Sequence, residues 1–309
     1  MPSGTNAPRR HSAAQAHTRS RRIGEPPQSP VYTARSLMAE TEIKPPMPLI
    51  PIRVRAVLRR SKLLRNAVVR ARHRGLRETD YMVASFPRSG NTWVRFVLAD
   101  LATGEPVDYQ GVDRVSPVVG FHVGAPDLVP GARLVKTHEP YRREYRRGAY
   151  FVRDVRDVLI SWYRVTRADP DDLSDLDDFV RDFAKGEASP YGDWAAHVKG
   201  WLAAAERLPI RVIRFESLRT DPAGTILEIA GDLGLECTRD DVVAALERNS
   251  PERMHELEAK NEEYLTKAFG YQSRGVRSGK IGGWRELLTE EHLAALEPVL
   301  VTNRELGYD

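Results

Sequence analysis

Along the first 50 residues the apolar positions follow neither a period of two nor one near 3.6. Ser, Pro, Arg and Ala are mixed there, and PPQSP and KPPMPLIP are turn or polyproline signals, so this stretch predicts disorder. From Ile52 to Arg74 the pattern changes: Val54, Val57, Leu58, Leu64, Val68 and Val69 recur among many Arg residues, which predicts a basic, partly amphipathic helix over 52–75. A new regime begins at Tyr81. A short apolar run ending at Phe86 leads through Pro87-Arg88-Ser89-Gly90-Asn91-Thr92 to apolar residues at helical spacing, Trp93, Phe96, Val97 and Leu101, so strand, tight loop and helix are expected. Residues 103–130 are rich in Gly, Pro and Asp with little periodicity and predict a long loop carrying Tyr109, Phe121 and His122, which either line a pocket or pack. Further strands are expected at 132–135, at Ala149–Val152 with a helix to follow, and at Ile210–Phe215. Helices are expected within 169–182, over Tyr191–Leu208, at 222–234, at 239–248 and from Thr289 to Leu306.

Charge divides the chain as the pattern does. Residues 1–77 hold 17 Lys or Arg against Glu25, Glu40 and Glu42, a net +14, which leaves −10 for the remainder of a 309-residue chain whose total is +4. The chain thus divides into a basic extension, 1–77, and an acidic, globular body, 78–309. The extension resembles an organelle transit peptide in its Arg and Ser content, and a start at Met38 or Met47 is an alternative account of it. Its functional reading is weak contact with anionic membrane; a solvated helix packed on the acidic body is favoured, because no aromatics interleave the charges, and no nucleic-acid partner is expected. No run of 18 apolar residues occurs, and Cys237 is the only cysteine. That excludes an internal disulfide and a cysteine-rich metal site, and fits a reducing, cytoplasmic setting.

The candidate chemistry lies where strands end. The loop at Arg88, Ser89, Asn91 and Thr92 turns backbone N–H groups, side-chain donors and a helix N-terminus toward one point, which suits an anion. It is not a G-x-x-x-x-G-K-[ST] loop, because no Lys follows Gly90 and the cation is Arg88. The next strand presents Lys136 and His138, two residues apart, before Pro140 stops further pairing. Arg153 ends another strand, and Ser161 stands about two helical turns on, a spacing that suits a pair closing around a second phosphate. Near the C-terminus, Arg277-Ser278-Gly279-Lys280 combines charge with glycine in a loop that allows backbone approach to an anion.

Pro87, Ser89, Gly90, Thr92 and Trp93, with Arg88 in the usual Lys place, resemble the phosphosulfate loop of sulfotransferases that use 3'-phosphoadenosine 5'-phosphosulfate (PAPS). Lys136-Thr137-His138, the set Arg153, Asp157 and Ser161, the segment Tyr191-Gly192-x-Trp194 with His197, the aromatic Phe215, and the set Arg277, Gly279, Gly282 and Trp284 resemble further motifs of that family, in its order. Val155 stands where the family has Pro and Pro251 where it has an aromatic. The family's dimerisation pattern keeps only Thr289, so the oligomeric state stays open.

The resemblance implies a three-layer, P-loop-like α/β fold with a central parallel sheet flanked by helices. It implies donor contacts from Arg88, Ser89, Gly90, Asn91, Thr92, Trp93, Arg153, Ser161, Phe215, Arg277, Ser278 and Gly279. PAPS would be the sulfuryl donor and 3'-phosphoadenosine 5'-phosphate (PAP) the product, with no metal. His138 would take the proton of an acceptor hydroxyl or amine, while Arg88 and Lys136 stabilise the leaving phosphate oxygen; the acceptor would be a small molecule, glycan or lipid. Two rivals follow from the residues. A nucleotide-dependent phosphotransferase needs Mg²⁺ on a strand-end carboxylate, where this chain has Lys136 and His138. A noncatalytic nucleotide- or anion-binding protein would use the basic extension to hold its partner.

Overall fold

A computed structural model describes residues 62–166, 169, 171–269 and 279–309. The expected disorder of the leader, the first residues of the basic helix, and Arg277 and Ser278 lie outside the described residues. Helix α1 (Lys62–Arg72) leads to β1 (Tyr81–Ser85), which is followed by α2 (Asn91–Thr103) and α3 (Tyr109–Val115). Strands β2 (Leu134–Thr137) and β3 (Arg147–Val152) come next, then α4 (Val155–Val165), α5 (Leu176–Ala184), α6 (Trp194–Ala205) and β4 (Ile210–Arg214). The C-terminal part is helical: α7 (Ser217–Thr220), α8 (Pro222–Leu233), α9 (Arg239–Arg248), α10 (Pro251–Lys260), α11 (Glu262–Phe269), a 3₁₀ turn at Gly283–Glu286, α12 (Glu290–Ala295) and α13 (Glu297–Glu305).

The four described strands form a parallel sheet in the order β2-β1-β3-β4, with Ala84 opposite both Thr137 and Tyr150. Every residue of β1 is buried, because helices cover both faces, and this is why the strand reads as an unbroken apolar run. Alternate side chains still part company. Tyr81 and Val83 join Ala149, Phe151 and Ile213 under α2, α8 and α9, whereas Met82 and Ala84 join Tyr150 and Val152 under α4, α5 and α6. On the second face Trp201 is sandwiched between Tyr145 (5.3 Å, 9°) and Tyr150 (5.1 Å, 8°). The chain leaves β1 toward β2 on one side and then returns to β3 on the other, so a crevice opens at the C-terminal end of β1.

Two expectations are corrected. The segment 103–130 contains α3, whose start is capped by Asp108 accepting from the Gly111 N–H at 2.7 Å. A seven-residue helix is too short to be stable by propensity and takes its support from packing, which a local pattern does not reveal. Tyr109 there stacks edge-on with Phe96 (4.9 Å) and donates to Glu258 at 3.0 Å, while His122 is buried with Nδ1 accepting from the Gly120 N–H. Both pack rather than line a pocket. The C-terminal helix is two helices that break at Leu296, since Pro298 cannot donate the hydrogen bond that would continue the ladder. No helix among the described residues is long and apolar enough to cross a membrane.

Candidate active site

The loop after β1 and the start of α2 form the floor of the crevice. Arg88 has φ 74° and Gly90 φ 95°, so the loop turns through the left-handed region twice within three residues. A backbone turned this way directs successive N–H groups to one side, and Arg88 tolerates a conformation that costs an L-residue about 1–2 kcal/mol because its side chain is fixed. Arg88 Nε donates to Ser161 Oγ on α4 at 2.9 Å, and its carbonyl accepts from Arg153 Nη1 at 3.2 Å. Arg153 also donates to the Lys280 carbonyl (2.8 Å) and lies over the Phe215 ring at 4.3 Å. Gly90 faces the same ring: a Cβ there would sit 2.8 Å from Phe215 Cδ2, and one on Gly279 3.8 Å from Phe215 Cζ. Phe215, just past β4, is therefore the surface on which the first loop, Arg153 and the C-terminal glycine loop meet.

Asp157, in the first turn of α4, ties that last loop down. Its two carboxylate oxygens accept from the Gly282 N–H (2.8 Å) and the Trp284 N–H (3.2 Å), and Arg153 stands 3.7 Å away. Trp93 on α2 donates through Nε1 to the Asn249 carbonyl at 2.7 Å, linking the loop to the end of α9. Ser161, Arg153, Phe215, Gly279 and residues 88–93 are thus gathered at one end of the sheet; Arg277 and Ser278 lie outside the described residues.

On the other side of β1, Lys136 Nζ donates to Thr92 Oγ1 at 3.3 Å. Burial, with the Arg95 and Arg88 cations nearby, pulls the Lys136 ammonium down to about 7. His138 follows β2, and its Nδ1–H donates to the Ser85 carbonyl at 2.8 Å. That bond selects the tautomer with the lone pair on Nε2. Burial and the neighbouring Lys136 hold His138 well below the usual imidazole range, so the ring is neutral at physiological pH.

Three polar atoms in this cradle are buried and make no hydrogen bond among the described residues: Ser89 Oγ, Asn91 Nδ2 and Arg153 Nε. Orphaned buried donors beside Arg88, Lys136 and Arg153 are costly unless something supplies acceptors, so the set fits a multiply charged oxyanion.

A family model described as a sulfotransferase domain matches residues 78–303, well over half of the chain. The chain belongs to the sulfotransferase family. This sulfotransferase is similar to rat sulfotransferase 2A1, 28% identical over 242 residues that make up 72% of this chain and 84% of the relative. It is also similar to human sulfotransferase 2B1, 27% identical over 231 residues covering 69% and 63% of the two chains. Among solved structures it resembles a retinol dehydratase in complex with androsterone and the inactive cofactor PAP, with a TM-score of 0.58 and 21% identity over 74% of this chain and 81% of that one. Mouse sulfotransferase SULT7A1 complexed with PAP gives 0.56 and 20% identity over 74% and 85%. The three-layer, P-loop-like α/β arrangement expected from the sequence is the fold they share.

For several residues around the sulfotransferase's crevice the task was not legible in the sequence, even where the position was. Ser85 acts through its carbonyl, which no side-chain motif can report. His197, on α6, donates from Nε2 to the His138 carbonyl at 3.1 Å and accepts at Nδ1 from the Tyr150 hydroxyl at 3.0 Å. The sequence marked it as a motif position and not as a partner of His138; it shares a buried helical face with Trp194, Val198 and Trp201, and burial takes it down to about 4. Asp157 was visible as a motif position, and its task of anchoring Gly282 and Trp284 across 125 residues was not.

Proposed function

We propose that this sulfotransferase moves a sulfuryl group from PAPS to a hydroxyl or amine of a small-molecule acceptor, with His138 as the base. The observation that carries the reading is the trio of orphaned donors, Ser89 Oγ, Asn91 Nδ2 and Arg153 Nε, in the cradle that also holds Arg88, Lys136 and Ser161. When bound, PAPS supplies a sulfuryl group on a phosphate leaving group. Residues 88–93 and Lys136 would hold the 5' end; Arg153 and Ser161 would hold the 3'-phosphate, with Phe215 against the adenine and Gly279, flanked by Arg277 and Ser278, closing over it.

His138 is suited to accept a proton because its Nδ1–H is committed to Ser85, which leaves the Nε2 lone pair free of a competing tautomer. Transfer of this kind has a loose transition state by analogy with phosphoryl transfer, so positioning and charge stabilisation dominate. Arg88 cannot give up its proton and acts electrostatically, whereas Lys136, protonated once the donor's anion faces it, can also give a proton to the leaving oxygen. Tyr191 stands with its ring 5.6 Å from that of His138, which supports an acceptor whose body can stack.

The test is calorimetric PAP binding together with labelled transfer from PAPS over an acceptor panel. His138→Ala is expected to keep PAP affinity and lose about 10²-fold in kcat. Parental turnover in a folded His138→Ala protein removes the base, and absence of PAP binding, or activity that needs Mg²⁺ and ATP, overturns the reading.

A further inference from the structure

Arg72 and His73, at the end of α1, precede the 78–303 span of the family domain. We infer that these two residues position the strand end that carries Lys136 and His138, so that the segment ahead of the domain is part of the transfer machinery. The inference rests on the proposed roles of Lys136 and His138.

The hydrogen bonds of His73 have one consistent direction. A carbonyl can only accept, so Nδ1–H donates to the Val69 carbonyl at 2.6 Å and Nε2 carries a lone pair. The Tyr145 hydroxyl then donates to that Nε2 at 2.5 Å. With its proton used, Tyr145 Oη accepts from Thr137 Oγ1 at 3.2 Å, and Thr137 Oγ1 accepts from the Glu139 N–H at 3.0 Å. His73, Tyr145 and Thr137 are all buried, so each of these bonds is expensive to lose. Thr137 lies between Lys136 and His138, and Glu139 follows His138, so the run from His73 fixes the backbone on both sides of the imidazole.

Arg72 holds the opposite edge. Its guanidinium donates to the Val119 carbonyl at 2.9 Å and stands 3.9 Å from Glu139. The stretch at Val119 pairs with β2: the Val119 N–H donates to the Lys136 carbonyl, and the Lys136 N–H to the Pro117 carbonyl, each at 2.8 Å. A Cβ on Gly120, at φ 103°, would sit 2.8 Å from Arg72 Nε, so the loop is shaped to the arginine. Two consecutive residues of one helix end therefore grip Lys136 through its edge pairing and His138 through Thr137 and Glu139. They touch no reacting atom and are positioning residues.

The experiment uses full-length protein carrying His73→Ala, Tyr145→Phe, Arg72→Ala or, as a control, Arg70→Ala, an exposed position of α1. Turnover, melting temperature and the ¹⁵N signals of the His138 imidazole are read for each. Tyr145→Phe keeps the ring stack on Trp201 and removes the hydroxyl alone, so it decides the matter if His73→Ala fails to fold. Expected are a kcat about tenfold lower or more in the first three proteins, since small misplacements of reacting groups are costly, and averaging of the His138 tautomers in place of one Nδ1–H form. The double variant His73→Ala with Tyr145→Phe should lose no more than the worse single one, and Arg70→Ala should match the parent. Folded Tyr145→Phe and His73→Ala proteins with kcat within about twofold of the parent and unchanged His138 signals overturn the inference. His138→Ala is assayed beside them: loss there with none in Tyr145→Phe overturns the positioning claim alone, and parental turnover in His138→Ala overturns it together with the reading of the site.

Discussion

Replacing Lys136 with Met tests whether donor binding takes up a proton. In the free protein the ammonium is pulled from 10.5 down to about 7 by burial, with Arg95 and Arg88 adding to it. A depression of that size corresponds to about 5 kcal/mol of unfavourable interaction with the charged form. Its effect on folding has a definite sign. The unfolded chain binds the proton below 10.5 and the native one only below about 7, so stability is lost as pH falls across that interval and levels off beneath it. In the proposed complex a bound phosphosulfate or PAP would reverse the balance by giving the ammonium an anion, which would restore its ordinary range. Binding above pH 7 must then draw in one proton, and affinity for PAP should fall about 15-fold between pH 7.0 and 8.5. Calorimetry at pH 8.5 in two buffers of different ionisation enthalpy measures the uptake directly. The parent should take up about one proton per PAP, and Lys136→Met, similar in length and without charge, should take up none and bind with a flat pH profile. Pure PAP binding to the parent with no proton uptake at pH 8.5 would refute the argument, whatever the affinity.

Other perturbations reach the same cradle from different sides. Asp157→Ala removes the acceptor of the Gly282 and Trp284 N–H groups, each bond to a charged partner being worth about 1.5–3 kcal/mol, so PAP affinity should drop at least about tenfold by calorimetry while the sheet stays folded. Gly90→Ala places a methyl 2.8 Å from Phe215 at φ 95°, where an L-residue costs about 1–2 kcal/mol; a lower melting temperature together with weakened PAP binding is expected. Asp80→Ala strands Arg133, which is 2% exposed and pairs with Asp80 through both Nε (2.8 Å) and Nη2 (2.7 Å). Urea denaturation should show a loss of about 3–5 kcal/mol, and a loss below about 1 kcal/mol would mean that the guanidinium finds water instead.

The local sequence carried the units of this protein. Tyr81–Ser85 is apolar and brief, Asn91–Thr103 has its apolar residues at helical spacing, and the Pro and Gly between them leave room only for a tight turn, so strand, loop and helix follow from short-range sterics and burial. The donors proposed to hold the anion were legible for the same reason: Arg88 to Trp93 are contiguous, and Arg153 and Ser161 stand about two helical turns apart across the start of α4. Helices over 222–233 and 239–248 were legible too, with Pro at one start and a Thr238 cap at the other.

What the sequence left undecided concerns partners distant along the chain. Whether Lys136 points toward Thr92, and how far burial lowers its ammonium, depends on β2 lying beside β1, a pairing fixed by cores on two faces at once. α3 forms because Phe96 and Glu258 receive Tyr109, not because seven residues favour a helix. His73 reads as one more polar residue in a basic leader until Tyr145, 72 residues later, is set against it. Local conformational preference acts over a few residues and can be read in them, whereas burial, charge proximity and hydrogen-bond direction arise only when separated segments exclude water together.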